Sequence, residues 1–219
     1  FKAGEIFAID KPYRISSFGA LAHVRYVLSR TLGYKVKIGH AGTLDPLATG
    51  VLILCTGKAT KRIEEFQGQT KEYMATLQLG ATTASYDMEH EVNASFPTEH
   101  ITRELINDTL PQFIGDIEQI PPTYSAVKVN GDRAYELRRA GEEVKLKPKH
   151  IHIDEIEVVD FDVEKMQLSL RVVCGKGTYI RALARDLGRA LNSGAYLTAL
   201  RRTRVGDFTI DRCLDYEHI

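Results

Sequence analysis

The chain has 219 residues, 43% hydrophobic and 26% charged, an ordinary globular composition with enough length to bury a core. It holds no apolar run near the roughly 20 residues of a membrane helix, no signal peptide, and three scattered cysteines (Cys55, Cys174, Cys213) that form no Cys-x-x-Cys pair. This excludes a membrane span, a disulfide framework and a zinc ribbon, and points to a reduced, cytoplasmic protein. Net charge is zero, yet residues 1–62 carry +7, residues 63–170 carry −11 and residues 171–219 carry +4. If the two ends meet in the fold they form one basic face; charge alone does not separate that from scattered solvated charge.

In chain order, Ile6 to Ile9 reads as a strand, followed by Asp10-Lys11-Pro12. Ser16 and Ser17 are N-cap candidates for a helix with apolar positions at Leu21, Val24, Val27 and Leu28, and Gly33 is its stop. Val51 to Cys55 is a continuous apolar strand, Lys58 to Phe66 a helix, and Glu72 to Leu79 a strand ending at Gly80. Thr102 to Phe113 has a helical pattern. Tyr124 to Val129 alternates into an Asn130-Gly131 hairpin turn. Ile151 to Asp160 and Met166 to Cys174 read as consecutive antiparallel strands. An amphipathic helix spans Thr178 to Leu191, and Val205 to Ile210 is a short closing strand. Strand runs broken by a few helices imply an α+β fold with a mixed, largely antiparallel sheet flanked by helices. With no repeat, linker or boundary visible, residues 1–219 are expected to form one domain.

The stretch Gly39 to Gly50, GHAGTLDPLATG, sets one carboxylate, Asp45, in a glycine-rich loop before the apolar strand. Gly39 and Gly42 permit a tight path, and Pro46 restricts Asp45 to extended backbone, so the carboxylate is aimed rather than mobile. Asp45 could equally cap a turn through its own backbone. A phosphate-cradling loop is excluded, because a carboxylate at its centre repels phosphate and GxxxxGK[ST] is absent.

The stretch resembles the signature loop of the tRNA pseudouridine synthases of the TruB type. Asp10-Lys11-Pro12, Lys71-Glu72-Tyr73, Tyr124 to Lys128 with Gly131 and Tyr135, Lys176 to Arg181 with Asp186-Leu187-Gly188, and Leu200-Arg201-Arg202 resemble that family's other motifs, in order, over nearly the whole chain. The resemblance implies isomerisation of uridine to pseudouridine in the T loop of tRNA, at position fifty-five, with no cofactor and no metal. It makes Asp45 the nucleophile, attacking either the ribose C1′ or the uracil C6. It gives Arg181 as its charge partner. The i, i+4, i+8 spacing of Arg181, Arg185 and Arg189 could equally be one solvated stripe; a split role leaves Arg185 and Arg189 nearer solvent or RNA. The uridine must leave its stack, and Tyr73, Tyr179 and Leu200 resemble the lining of the pocket that takes it, with Tyr73 also placed to handle a proton. By periodicity alone those three residues are ordinary core. His40, read in isolation a general base, becomes a substrate contact. Lys11, Lys61, Arg62, Arg201 and Arg202 are candidates for phosphate contacts.

The match is imperfect after Gly80. Ala84 stands where the family has an Asp, its glycine is missing, and only Asp87 carries over as a substrate-side acid. The chain begins at Phe1 rather than Met, so native residues are expected before it. It stops at Ile219, about where the family's C-terminal RNA-binding module begins, and that module is expected to be absent from this chain. A tRNA partner bound through its T arm, no protein partner, no membrane and a monomeric state complete the expectation. The rival readings are a non-catalytic tRNA-binding or tRNA-folding protein on the same scaffold, and a glycosidase-like hydrolase. The hydrolase wants two carboxylates flanking the bond, where this loop holds one.

Overall fold

A computed structural model describes residues 1–125, 128, 129, 132–134 and 146–219. Ala126, Val127, Gly131 and Tyr135 of the central motif, and the Asn130-Gly131 turn, lie outside the described residues. In chain order the described strands are β1 (Ile6–Lys11), β2 (Ile38–Ala41), β3 (Ala48–Thr56), β4 (Lys71–Leu79), β5 (Ala81–Thr83), β6 (Val92–Ser95), β7 (Gly115–Gln119), β8 (Lys128–Val129), β9 (Asp132–Arg133), β10 (Lys149–Asp162), β11 (Gln167–Cys174), β12 (Ala195–Val205), β13 (Phe208–Thr209) and β14 (Leu214–Asp215). The described helices are α1 (Ser17–Leu32), α2 (Ile63–Gln67), α3 (Arg103–Thr109) and α4 (Ile180–Ala190). The class is α+β, with strands in mixed but mostly antiparallel pairing.

The chain divides into two compact units, one of residues 1–74 with 200–219, the other of residues 75–199. The first unit joins the two basic ends of the chain, and with 15 Lys/Arg against 10 Asp/Glu it carries +5. Its strand order is β14-β1-β3-β12-β4, with β2 on β3 and β13 on β12. Strand β3 is buried over almost its whole length because both faces are covered. Leu52 and Leu54 pack with Ile9 and with Ala20, Leu21 and Val24 of α1. Val51, Ile53 and Cys55 pack with Ala8, Ala41, Ala59 and Phe66. That is why β3 reads as continuous apolar sequence rather than alternation. Each such Val, Leu or Ile contributes about 1.5–3 kcal/mol of burial. Helix α1 starts where Ser16 accepts a hydrogen bond from the Gly19 N–H (2.9 Å), and it stops at Gly33, whose φ of 73° is left-handed.

The second unit carries the order β12-β4-β11-β10-β7, and β5 and β6 pair separately. Strands β10 and β11 pair antiparallel from Ile153↔Cys174 to Asp162↔Gln167, and β7 pairs antiparallel with the start of β10. Helix α4 buries Ile180, Leu183, Ala184 and Leu187. Two helical expectations shorten. Thr102 caps α3, but Pro111 lacks an amide hydrogen and the chain tightens to a 3-10 turn over Leu110–Phe113. Lys58 to Phe66 is a 3-10 turn, Gly57–Arg62, before the short α2. The closing strand expected over Val205 to Ile210 is instead a turn, with Arg204 and Val205 of β12 pairing back to Thr209 and Phe208.

Candidate active site

Residues Gly42 to Leu47 link β2 to β3, and the positions flanking Asp45 are held by buried groups. Ser17, 2% exposed at the start of α1, donates its hydroxyl to the Leu44 carbonyl (2.9 Å) and accepts from the Leu44 N–H (2.8 Å). The Pro46 carbonyl accepts from the Arg14 N–H (2.8 Å) and from Lys11 Nζ (3.3 Å). The Asp45 carbonyl accepts from the Ala48 N–H (2.9 Å), closing the turn. Leu44 is buried, Thr43 and Pro46 are exposed, and Asp45 lies between, half-buried. A loop tied on both sides of one carboxylate has little freedom left to lose when a substrate binds.

Two cations lie beneath this loop. Lys11 is fully buried, and its ammonium donates to the carbonyls of Pro12 (2.8 Å), Ile15 (2.6 Å) and Pro46. Burial pushes its pKa down to about 8; the Asp45 carboxylate opposes the fall and the Arg202 charge adds to it. Arg202, 1% exposed, donates from Nε to the Val51 carbonyl (2.9 Å) and from Nη2 to the Gly42 carbonyl (2.8 Å). Both side chains are committed to backbone oxygens of the first unit. The phosphate-contact expectation for Lys11 and Arg202 does not fit this burial, and they brace the loop instead. Gly42 has φ 82°, a conformation suited to glycine. Gly50 has φ 111°, and a Cβ there would stand 2.0 Å from the Arg202 carbonyl oxygen, so only glycine lets β12 come this close.

The other expected residues of the first unit fall on strands. His40 is on β2, not in a loop. Its Nδ1 is buried and has no hydrogen-bond partner among the described residues. Burial, then the Arg202 charge, hold its pKa below the usual histidine value, so the ring is neutral at pH 7. Tyr73, 7% exposed, is on β4, whose residues alternate buried and half-buried. Leu200, Arg201 and Arg202 on β12 stand opposite Ala48, Thr49 and Gly50 of β3. Arg201, on the more open side, forms a two-pronged pair with Asp10 (3.1 and 2.8 Å) and also reaches Thr49 Oγ1 (3.2 Å). Lys61 and Arg62 are exposed.

In the second unit, Arg181 is 3% exposed and donates to the carbonyls of Ser85 (3.1 Å) and Tyr124 (2.7 Å). Its Nε lies 4.0 Å from the Asp87 carboxylate, which accepts from Ser85 Oγ (2.5 Å) and the Glu89 N–H (3.0 Å). Asp87 thus sits in a buried cluster with Arg181. Tyr179 exchanges backbone hydrogen bonds with the side chain of Gln119 (2.9 and 3.2 Å), which fixes the entry to α4. Arg189 is exposed as expected, but Arg185 is not. It is 7% exposed, donates to the Ile120 carbonyl (2.6 Å) and pairs with Asp186 (2.9 Å). The i, i+4 stripe is therefore buried at two of its three positions.

Sequence reasoning passed over Ser17 as anything beyond a cap, and Arg14 altogether. Their bonds to the loop cross 27 and 32 residues of chain, and no local signal announces them. Among the described residues no group of three or more His, Cys, Asp or Glu is placed to hold a metal ion, and no helix is long and apolar enough to cross a membrane.

The family model for the TruB family pseudouridylate synthase N-terminal domain matches residues 29–180, and that for the tRNA pseudouridylate synthase B C-terminal domain matches residues 181–219. The chain is 62% identical to a tRNA pseudouridine synthase B of Bacteroides thetaiotaomicron, across 100% of this chain and 92% of that protein. It is 51% identical to that of Flavobacterium johnsoniae, across 97% and 93%. Among solved structures, a chain of a Cbf5-Nop10-Gar1 complex superposes with a TM-score of 0.71 at 29% identity, covering 98% of this chain and 52% of that one.

Proposed function

This chain belongs to the TruB family of pseudouridylate synthases, and from that premise we propose that it isomerises uridine in the T loop of tRNA with Asp45 as nucleophile. Uridine isomerisation in tRNA is the activity for which its near relatives are named. The C1′–N1 bond breaks, the uracil turns, a C1′–C5 bond forms, the C5 proton leaves to water and N1 gains one. Atoms and charge balance without an oxidant, reductant or co-reactant. The observation that carries the assignment is the loop itself. Buried Ser17 and Lys11 hold Leu44 and Pro46, so the backbone that carries the carboxylate between them is fixed. Holding the reacting group in place removes much of the entropic barrier to attack.

The remaining roles follow the resemblance. Tyr73 stacks on the flipped base and handles a proton, Leu200 and Tyr179 line its pocket, His40 contacts the RNA as a neutral ring, and Arg181 supports the reacting carboxylate. Asp87 and Arg201 act on the substrate side. Exposed Lys61 and Arg62, and half-buried Arg201 beside Asp10, are the remaining candidates for phosphate contacts. Three cysteines without a disulfide are in keeping with a cytoplasmic enzyme.

The test uses tRNA carrying tritium at C5 of its uridines, incubated with this protein and with Asp45→Asn. Release by the native chain and none by the variant is the expected result. Equal release by both dismisses Asp45 as nucleophile. No release by either, with tRNA binding intact, replaces the isomerase with a tRNA-binding protein.

A further inference from the structure

At the far end of the β2–β3 pair from Asp45 the first unit holds an open recess of about 320 Å³. Five lysines line it: Lys2, Lys35, Lys37, Lys58 and Lys61. They come from three separate stretches of chain, so no run of like charge explains their meeting. Two backbone features draw them together. The Gly57 N–H donates to the Lys37 carbonyl (2.9 Å), joining the start of β2 to the end of β3. Gly57, with φ 53°, also packs so tightly under Phe1 and Lys2 that a Cβ there would stand 2.4 Å from either carbonyl oxygen. Lys2 lies over the Tyr34 ring, 4.5 Å from its centre, which holds that ammonium at the edge of the recess.

No acid lines this recess, and among the described residues none of the five ammonium groups has a carboxylate within 4 Å. Several arginines elsewhere do have acid partners: Arg62 with Glu65, Arg201 with Asp10, Arg171 with Glu155 and Glu157. Five like charges gathered without a counter-charge repel one another, and they lower that cost by binding a polyanion and releasing its counterions. All five lysines are exposed and come from three stretches of chain, with none buried to select one phosphate, so the recess suits a continuous backbone rather than a single small anion.

We propose that this recess is an RNA-backbone site, remote from the reacting base, that grips the phosphates of the same substrate molecule. The proposal rests on the RNA-substrate reading above. Strand β3, Ala48–Thr56, separates the recess from the Asp45 loop by roughly 25 Å at about 3.3 Å per residue. That span places the site several nucleotides along an RNA stem from the flipped uridine. The site therefore favours RNA with an ordered stem beyond the loop over a bare loop sequence.

The test compares the native chain, the recess variant Lys35→Gln/Lys37→Gln/Lys58→Gln, and a control variant carrying Lys147→Gln/Lys149→Gln/Lys165→Gln at exposed positions of the other unit. Affinity for tRNA is measured from 0.05 to 0.4 M KCl, with a thermal melt to show that each variant is folded. Each lysine that contacts a phosphate contributes about 0.7–0.9 to the slope of log K against log salt. The recess variant is expected to lose about 2 from that slope and on the order of 100-fold in affinity at 0.1 M salt, while the control keeps the native slope. A native slope in the recess variant, or an equal loss in both variants, overturns the proposal. Tritium release separates the two readings. A native chain that shows the recess effect but releases no tritium keeps the site and loses the isomerase. A chain that releases tritium with an unaltered recess slope keeps the isomerase and loses the site.

Discussion

Replacing Ser17 with alanine removes one hydroxyl and leaves two backbone groups of Leu44 without their buried partner. The hydroxyl accepts from the Leu44 N–H at 2.8 Å and donates to its carbonyl at 2.9 Å, in a position 2% exposed. Two lost hydrogen bonds at about 1 kcal/mol each set the lower figure, and an unsatisfied buried amide adds about another 1 kcal/mol. The substitution is therefore worth about 2–3 kcal/mol. At roughly 2–4 °C per kcal/mol for a chain of this length, the melting midpoint falls by about 4–12 °C. The same change frees the residue before Asp45, and a displacement near 1 Å at a reacting group costs on the order of 100-fold in rate. The assay is a circular-dichroism melt paired with single-turnover tritium release at saturating tRNA. A Ser17→Ala protein that melts within 1 °C of the native one and turns over at the native rate refutes the claim that this hydroxyl holds the loop. A stability loss with native turnover would show that Asp45 is positioned by Pro46 and its donors alone.

Gly50→Ala should be worse, because its Cβ would overlap the Arg202 carbonyl oxygen at 2.0 Å on a backbone at φ 111°. A loss of more than about 3 kcal/mol, seen as insoluble protein or a midpoint lowered by 6 °C or more, is expected, and a midpoint within 3 °C of native contradicts the packing argument. A third outcome concerns pH. The hydrogen bond to Asp116 raises the pKa of His152 above 6.5, and the same contact lowers that of Asp116 below 3.8. The histidine's contribution is complete below pH 6.5 and is lost as pH rises through its raised pKa. The aspartate's is complete above pH 3.8 and is lost as pH falls through its lowered one. The midpoint difference between the native chain and His152→Asn should thus be largest between about pH 3.8 and 6.5 and vanish in alkaline solution. A difference that grows with rising pH has the wrong sign for this pair.

The sequence discloses elements whose signals are local. Helix α1 runs from its serine cap to its left-handed glycine as read, and β3 and β11 lie where apolar runs placed them. It conceals β12, an eleven-residue strand that carries Leu200, Arg201 and Arg202. The run Arg-Arg-Thr-Arg has no apolar alternation, because Arg202 takes a core position with its charge spent on carbonyl oxygens, a pattern binary periodicity scores as surface. Strand β2 is hidden for a related reason, since its glycine and histidine read as loop until β3 pairs with them from Ile38↔Thr56 to Ala41↔Ile53. The resemblance singles out Asp45. The groups that hold its loop are not legible, because Lys11, Arg14, Ser17 and Arg202 reach it from positions distant in sequence.

That distance has a physical reason. A six-residue connection carries backbone donors and acceptors that the neighbouring ladder cannot reach, and each one left dry is costly. Helical or strand geometry would satisfy them but would also fix Asp45 in a regular element, pointing where the element dictates. Here the carbonyls of Gly42 and Pro46 and the amide of Leu44 are met by side chains from β1, α1 and β12. Two of those side chains are cations, whose desolvation is offset by several carbonyl oxygens each, and charge-assisted bonds of this kind are stronger than neutral ones. The loop is then held like a strand while its path is not dictated by a regular element. Replacing Arg202 or Lys11 with an apolar residue of similar size would fill the space and leave those carbonyls bare. So burial of a full positive charge is explained at these two positions by the irregular backbone above them, and the precision of the site is inseparable from the pairing of β12 with β3.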